Sequence, residues 1–284
     1  MIIVKKNYSN PPPILKSDNC RNKVQKALAQ KKEHNFSSHY YGHEQVRTRL
    51  EKIYHNKCAY CETNVESGAT LQVEHYRPKK GVTEDKKHDG YYWLGYEWSN
   101  LLLACPKCNG KSGKSNQFPI EGVRVYAHKE DSNAQLDNRQ CHPDSPPLSL
   151  EKPLLLNPEI NEPKLHFKFQ FDGEMIGVTN KGKKTIEICR LNREELKIAR
   201  QRILDKFLGE LKEVLLAYEL KIIDSTGLKY FIKKILQKSN TCNHLKIFSL
   251  CLDGIYTKSM NFFCKSISDN NRKTKISQTG FSSI

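Results

Sequence analysis

The sequence lacks the long apolar run that a transmembrane helix requires. No stretch approaches the roughly 18 consecutive apolar residues needed to cross a bilayer, and the mean hydropathy is −0.68. The first ten residues also lack the apolar core of a signal peptide. These absences predict a soluble, cytoplasmic protein with no membrane partner. Internal repeats are missing too, so a repeat array is not expected.

Acidic residues are scarce towards both ends of the 284-residue chain. Lys and Arg number 47 against 31 Asp and Glu, which gives a formal net charge of +16. Residues 1–57 hold 12 basic and 4 acidic side chains, and residues 221–284 hold 11 and 3. Basic flanks suit contacts with nucleic-acid phosphates, although a lysine-rich solvated surface would give the same pattern.

Four of the ten cysteines form two Cys-x-x-Cys pairs, Cys58 with Cys61 and Cys105 with Cys108. In a reducing cytosol such pairs bind metal far more often than they form disulfides. Two turns that each present two thiolates predict a closed tetrahedral zinc site, which stabilises the fold and does not catalyse. The other six cysteines are scattered and are expected to be small core or surface residues.

Two segments between and around these pairs carry polar residues that suit phosphodiester chemistry. Glu74 and His75 stand side by side in a short apolar segment, followed by Arg77 and Pro78. Asn100 opens a second apolar segment, and Asn109 follows nine residues later. A histidine with an ordinary pKa of about 6.5 can take a proton from water at neutral pH. Adjacent strand residues point to opposite faces, so we expect the chain to bend between Glu74 and His75.

This pattern resembles the HNH, or ββα-metal, endonuclease family. The resemblance implies that His75 is the general base, that Glu74 and Asn109 hold a catalytic Mg²⁺ or Mn²⁺, and that Asn100 holds the His75 loop by hydrogen bonds. Glu74 stands where Asp is frequent in the family, and Asn109 stands where many members have His. We therefore expect weaker metal binding or a preference for Mg²⁺. The basic residues near the motif are candidates for phosphate contacts: Arg77, Lys79, Lys111 and Lys114.

A wider resemblance covers roughly residues 1–205. The aromatic segment 88–101, the run 116–119, the run 153–158 and Leu191-Asn192-Arg193 are similar to the HNH subunit of Septu-type and retron-associated anti-phage systems. That resemblance implies an ATPase partner that controls the nuclease, and cleavage that leaves 5′-phosphate and 3′-hydroxyl ends. DNA is the more expected substrate, but nothing in the sequence excludes RNA. We expect the aromatic segment to pack the core, with base stacking by Tyr91 or Trp93 as the alternative.

The expected fold class is α+β: a ββα-metal core with a four-cysteine zinc site, flanked by N-terminal helices and by a C-terminal β-hairpin and helical region. The predicted divisions are a basic helical region at 1–57, the zinc-bearing nuclease core at 58–120, a linker and hairpin region at 121–190, a helical region at 191–266 and a disordered tail at 267–284. Asn192 is predicted to cap a long amphipathic helix. Two shorter helices are expected around 228–236 and 245–252. The apolar stripe on Leu204, Phe207, Leu211 and Leu215 fits either a core or a partner-binding face.

A second class of function remains open at this point. A non-catalytic zinc ribbon that binds nucleic acid or protein would need the four thiolates, but it would have no use for Glu74, His75 and Asn109. The joint presence of these three residues favours the enzyme.

Overall fold

The computed structural model describes residues 1, 3–64, 70–130 and 136–241, the last six as backbone only. The chain divides into two compact units, Met1–Gln201 and Arg202–Ile284. The predicted helix around 245–252 and the tail beyond 266 lie outside the described residues. None of the described helices is long and apolar enough to cross a membrane.

Among the described residues, four α-helices precede the first strand: α1 (Pro13–Lys16), α2 (Asp18–Gln30), α3 (Ser38–Tyr41) and α4 (Glu44–Tyr54). The Ser17 hydroxyl accepts a hydrogen bond from the Cys20 amide and so caps α2. Helix α4 ends where His55 adopts a left-handed conformation, with φ at 51°. Its buried face is formed by Val46, Leu50 and Tyr54, which recur every four residues, as an amphipathic helix requires.

The central sheet contains two antiparallel strands, β1 (Gln72–His75) and β2 (Leu101–Ala104). Gln72 pairs with Ala104, and His75 pairs with Leu101. Every residue of β2 is buried, and α4 contacts this strand. The short helix α5 (Pro106–Asn109) follows at once. The predicted α+β class, with helices and small sheets, is confirmed.

The aromatic segment between the strands fills the core of the first unit. Tyr91, Tyr92, Trp93 and Trp98 are all buried. Arene rings of this size bury large apolar areas, so they stabilise a unit whose strands are only four residues long. Tyr91 and Trp93 therefore offer no face on which a nucleobase could stack.

A second antiparallel pair, β3 (Phe167–Phe169) and β4 (Met175–Gly177), forms the predicted hairpin. Its turn contains Gly173, whose φ of 79° favours glycine. Helix α6 (Asn180–Cys189) follows and was not predicted. It begins in the polar run 180–184, where an apolar period is absent, and it is capped by Thr179, whose hydroxyl accepts from the Gly182 amide.

The prediction that Asn192 caps a helix is wrong. Helix α7 spans Glu194–Glu219, and the Asn192 side chain instead binds the backbone of β4. Its Oδ1 accepts from the Met175 amide at 2.9 Å, and its Nδ2 donates to the Met175 carbonyl at 2.8 Å. The backbone amide and carbonyl of Met175 both gain a hydrogen bond from this side chain, whereas backbone groups at a helix start exposed to water can be satisfied by solvent.

Helix α8 (Ser225–Thr241) contains the predicted helix around 228–236. Among the described side chains of the second unit, which end at residue 235, the buried ones are Leu204, Phe207, Leu228, Ile232 and Ile235. Leu211 and Leu215 of the predicted stripe are only half-buried.

Candidate active site and metal centre

The four cysteines of the Cys-x-x-Cys pairs form one buried cluster. All four Sγ atoms lie within 4.8 Å of one another, and Cys61 Sγ is 3.7 Å from Cys105 Sγ. Zinc–sulfur bonds of about 2.3 Å in a tetrahedron place neighbouring sulfurs about 3.8 Å apart. All four cysteines are free thiols, so none of them takes part in a disulfide. The cluster therefore has the donor set and the dimensions of a zinc site.

A guanidinium group that sequence reasoning did not assign lies against these sulfurs. Arg193 Nη1 is 3.6 Å from Cys108 Sγ, and Nη2 is 4.0 Å from Cys105 Sγ. The same Nη1 donates to the Cys189 carbonyl at 3.3 Å, which ties the end of α6 to the cluster. Four thiolates around one zinc ion carry a net charge of about −2, so Arg193 offsets part of a buried negative charge.

The cluster is also joined to the central sheet. The Ala59 amide, inside the first Cys-x-x-Cys turn, donates to the Leu103 carbonyl of β2 at 2.7 Å. The second turn begins directly after β2 and contains α5. A metal held by both turns would therefore fix α5, and Asn109 with it, against the strands.

Glu74 and His75 are the last two residues of β1, and both are buried. Strand pairing continues through His75, and the chain bends at Tyr76 and Arg77. The predicted bend between Glu74 and His75 is therefore wrong by one residue. Glu74, His75 and Asn109 nevertheless line a single cleft of about 640 Å³. Asn109 is held there by a hydrogen bond from its Nδ2 to Gln72 Oε1 at 3.1 Å.

Lys114 does not line the cleft, but it contacts both Glu74 and His75. Its Nζ is 2.7 Å from Glu74 Oε1 and donates to the His75 carbonyl at 2.9 Å. Burial raises the pKa of Glu74, and the Lys114 charge opposes that rise. Lys114 is fully buried, so the structure contradicts its predicted phosphate contact. It positions Glu74 and neutralises part of its charge.

The His75 ring is fixed on three sides. Its Nε2 lies 2.9 Å from the Gly95 carbonyl oxygen, and its Nδ1 lies 3.1 Å from Lys79 Nζ. The Tyr41 ring packs edge to face against it, with centroids 4.7 Å apart. Burial, with the nearby Lys79 charge, holds the pKa of His75 well below its ordinary value. The imidazole is therefore neutral at pH 7, with one ring nitrogen that carries no proton.

Asn100 is buried outside the cleft and bridges the loop that follows His75. Its Oδ1 accepts from the Arg77 amide at 2.8 Å, while its Nδ2 donates to the carbonyls of Arg77 and Leu94 at 3.0 and 3.2 Å. The backbone carbonyl of Asn100 also accepts from the Tyr76 amide. These bonds fix the chain on both sides of the bend that ends β1.

Arg77 does not face solvent, so its predicted phosphate contact is also contradicted. The side chain is 1% exposed, and its Nε donates to Glu151 Oε2 at 2.9 Å. Its Nη2 donates to the Leu148 carbonyl at 2.8 Å. Glu151 is buried too, and its Oε1 accepts from the Tyr91 hydroxyl and from the Val125 amide. The pair fastens the loop after β1 to the segment around 148–151.

Breaking this pair should destabilise the protein strongly. Arg77→Met leaves the Glu151 carboxylate buried without its cation, a change that typically costs about 3–5 kcal/mol. The matched control is Arg21→Met, because Arg21 pairs with Asp18 on an exposed helix face, where such pairs contribute about 0–1 kcal/mol. Urea unfolding followed by circular dichroism measures both. Equal midpoints for the two variants would contradict the assigned role of the buried pair.

Part of the cleft wall comes from the N-terminal helices. Ser38 and Tyr41 of α3, together with Arg47 of α4, line it. Sequence reasoning placed these residues in a flanking region and missed them; the dense His-Tyr-Tyr-Gly run at 39–42 was the available signal. Lys79 and Lys111, two of the predicted phosphate contacts, also line the cleft.

Comparison with known proteins agrees with this geometry. The HNH endonuclease family profile matches residues 58–115. That segment is an HNH endonuclease domain. It includes both Cys-x-x-Cys turns, both strands of the central sheet and the residues Glu74, His75, Asn100 and Asn109.

Beyond the HNH domain, the chain resembles Septu proteins. It is 35% identical over 182 residues to Septu protein PtuB of Bacillus mycoides (strain KBAB4), which is 61% of this chain and 55% of that protein. It is 27% identical over 153 residues to a PtuB of Bacillus thuringiensis, covering 54% and 43% of the two chains. It also matches Septu protein PtuA of the same B. mycoides strain, at 28% over 193 residues, 66% of this chain and 24% of PtuA. The chain thus spans about half the length of the PtuB relatives and about a quarter of PtuA.

Proposed function

We propose that this protein is a metal-dependent HNH endonuclease that hydrolyses nucleic-acid phosphodiester bonds within an anti-phage defence system. The observation that carries the proposal is the convergence of Glu74, His75 and Asn109 on one cleft inside the HNH domain. A zinc ribbon alone needs only the four thiolates, and it would gain nothing from burying an acid and a base beside each other at the end of a strand.

In the proposed reaction, His75 accepts a proton from a water molecule as that water attacks phosphorus. A new bond forms between phosphorus and the water oxygen, the bond from phosphorus to the 3′ oxygen breaks, and the released 3′ oxygen takes a proton from a solvent water molecule. The products carry a 5′-phosphate and a 3′-hydroxyl. Lys111 and Arg47, which line the cleft, would neutralise the phosphoryl oxygens, and Asn100 keeps the His75 loop in place.

The donor set fits two different metals. The four buried sulfurs would hold zinc, which supplies structural stability. Glu74 and Asn109 offer carboxylate and amide oxygens, which Mg²⁺ or Mn²⁺ prefer. A divalent ion bound there supplies Lewis-acid stabilisation of charge on the phosphoryl group and on the leaving oxygen. Lys114 already contacts the Glu74 carboxylate, so we expect that ion to be weakly held and exchangeable.

The similarity to PtuB and PtuA supports a Septu-type setting, in which an ATPase partner controls the nuclease in the cytoplasm. DNA is the preferred substrate in this proposal. RNA is the alternative, because an HNH site binds the phosphodiester group that DNA and RNA share. The deciding experiment incubates the purified chain, with and without its ATPase partner, with labelled DNA and tRNA in Mg²⁺ or in EDTA. Absence of cleavage under every condition would favour the zinc-ribbon alternative.

Brief treatment with EDTA should stop cleavage without unfolding the protein. Two oxygen ligands completed by water molecules release Mg²⁺ readily, whereas four buried thiolates retain zinc. Added Mg²⁺ or Mn²⁺ should restore the rate while the zinc content stays near one ion per chain, as elemental analysis would measure. Full activity in excess EDTA would contradict the division of roles between the two sites.

The two proposed oxygen ligands should differ in their tolerance to substitution. Glu74→Gln keeps the side-chain shape but removes the negative charge, so it should fail at any ordinary metal concentration. Asn109→Ala should be rescued partly by Mn²⁺, which binds N and O ligands more tightly than Mg²⁺ does. Cleavage rates across a series of Mg²⁺ and Mn²⁺ concentrations test this ranking. The reverse order of sensitivity would show that Asn109, and not Glu74, is the main ligand.

A further inference from the structure

The hydrogen bonds of His75 determine which of its nitrogens can act as a base. The Gly95 carbonyl, 2.9 Å from Nε2, can only accept a hydrogen bond. Nε2 therefore carries the proton of the neutral ring. The lone pair that could accept a proton from water is on Nδ1.

That lone pair already has a partner. Lys79 Nζ lies 3.1 Å from His75 Nδ1, and an ammonium group can only donate. While this bond persists, Nδ1 is not available to an attacking water. In this structure the candidate base is therefore capped, in the sense that Lys79 occupies its free lone pair.

Tyr41 holds the cap against the ring. Lys79 Nζ lies 4.7 Å from the centroid of the Tyr41 ring, which is a cation–π distance, and the same ring packs against His75. Tyr41, Lys79 and His75 therefore form one contact group on the wall of the cleft, which we call the His75 cap.

Lys79 makes no close ion pair in the part of the chain that is described, although the charge of Glu74 lies near enough to act on its pKa. The nearby carboxylate, Glu74, pairs with Lys114. The contacts that Lys79 makes there are with a neutral imidazole and with an aromatic face. A half-buried ammonium in this setting would gain from a hydrogen bond to an anion, because charge-assisted hydrogen bonds are roughly twice as strong as neutral ones.

We infer that Lys79 is a substrate-displaced cap on His75: a phosphodiester entering the cleft draws the ammonium group away from Nδ1 and so frees the base. The inference rests on the proposed function and deepens it. No covalent bond changes in this step. Lys79 keeps its proton and exchanges Nδ1 for a phosphate oxygen, and a water molecule then donates to the vacated Nδ1.

The cap can be observed directly by nitrogen NMR on protein labelled with ¹⁵N-histidine. The His75 signals are assigned by their loss in His75→Gln. The probes are a twelve-base-pair DNA duplex and a twelve-nucleotide RNA, added in EDTA so that binding occurs without cleavage and followed by fluorescence anisotropy. Lys79→Met removes the cap, and Lys80→Met is the matched control because Lys80 is the exposed neighbour and does not line the cleft.

We expect bound nucleic acid to shift the Nδ1 signal of the wild type while the Nε2 signal stays in place. Lys79→Met should show the shifted Nδ1 signal without any nucleic acid, and Lys80→Met should behave like the wild type. An Nδ1 signal that is unmoved by a bound probe, or unmoved in Lys79→Met, would overturn the cap. If neither probe binds and none is cleaved by the wild type in Mg²⁺, the proposed function itself fails and the cap fails with it.

Kinetics give an independent readout. Lys79→Met should raise KM about tenfold or more through the loss of a hydrogen bond to a charged group. Its single-turnover rate at saturating substrate should stay within about threefold of the wild type, because the base is already free. A rate at saturation that falls as far as KM rises would show that Lys79 acts on the transition state and not as a cap.

Discussion

His75→Ala should abolish cleavage while the fold and the zinc content remain unchanged. Removing a general base typically lowers a rate by roughly 10²–10⁴-fold. His75 is not among the sulfur ligands, and in the described part of the chain its ring contacts Gly95, Lys79 and Tyr41. Gel assays of cleavage, circular dichroism and zinc analysis of the same preparation measure the three properties together.

The matched control for that experiment is His142→Ala. His142 pairs with Asp144 and packs on Tyr8, and it does not line the cleft. The control should cleave at the wild-type rate. Substantial residual cutting by His75→Ala would remove His75 from the role of base, and equal losses in both variants would point to a general loss of structure.

Cys108→Ser should cost the protein its zinc and most of its solubility. Structural zinc sites contribute apparent binding free energies of about 10 kcal/mol or more, and that free energy is also folding free energy. The loss should be large here, because the central sheet has only four residue pairs and the cluster holds both turns beside it. Zinc content and the soluble fraction after expression measure the effect.

Cys20→Ser makes the same atomic change at a buried cysteine outside the cluster. It should retain zinc and lose no more than about 1–3 kcal/mol, the cost of an imperfectly bonded buried hydroxyl. The difference between the two variants therefore isolates the metal ligand from the general effect of a buried serine. A soluble Cys108→Ser protein without zinc, or a wild type that contains none, would contradict the structural role of the cluster.

The parts of the site that could be predicted from sequence are those fixed by short spacing. Cys58 and Cys61 belong to one turn, and Glu74 and His75 are consecutive, so each pair is brought together by local geometry. The hairpin predicted within residues 121–190 is likewise present, with its two strands separated by a short turn. In each case the chain needs no distant partner to bring the residues together.

Residues whose environment depends on distant segments were assigned incorrectly. Arg77 and Lys114 have the composition of phosphate contacts, but each is buried against a carboxylate from another part of the chain: Glu151 for Arg77 and Glu74 for Lys114. Asn192 has the spacing of a cap, but it binds a strand 17 residues earlier. Charge and spacing indicate which interactions a side chain can make, but the interaction that it makes depends on the partner that the fold brings next to it.

The cleft wall formed by Tyr41 and Arg47 was missed for the same reason. Nothing near residue 41 indicates that His75, more than thirty positions later, will pack against it at 4.7 Å. An aromatic cluster between two helices is usually a core feature, and Tyr40 and Tyr41 do pack near Tyr96.

The Arg77–Glu151 pair also affects how the chain can fold during its synthesis, because Glu151 leaves the ribosome later than Arg77. The match to the HNH family ends at residue 115. Arg77, two residues after His75, nevertheless pairs with the carboxylate of Glu151, which lies 74 residues later in the chain. Lys6 likewise donates from the N-terminal segment to the carbonyls of Trp98 and Leu101. A nascent chain that has emerged only as far as residue 115 holds every candidate catalytic residue but has an uncompensated buried charge beside them. The candidate site therefore has all of its supporting contacts only after residue 151 has left the ribosome, and a gene cut to residues 58–115 would encode the candidate residues without the Arg77–Glu151 pair beside them.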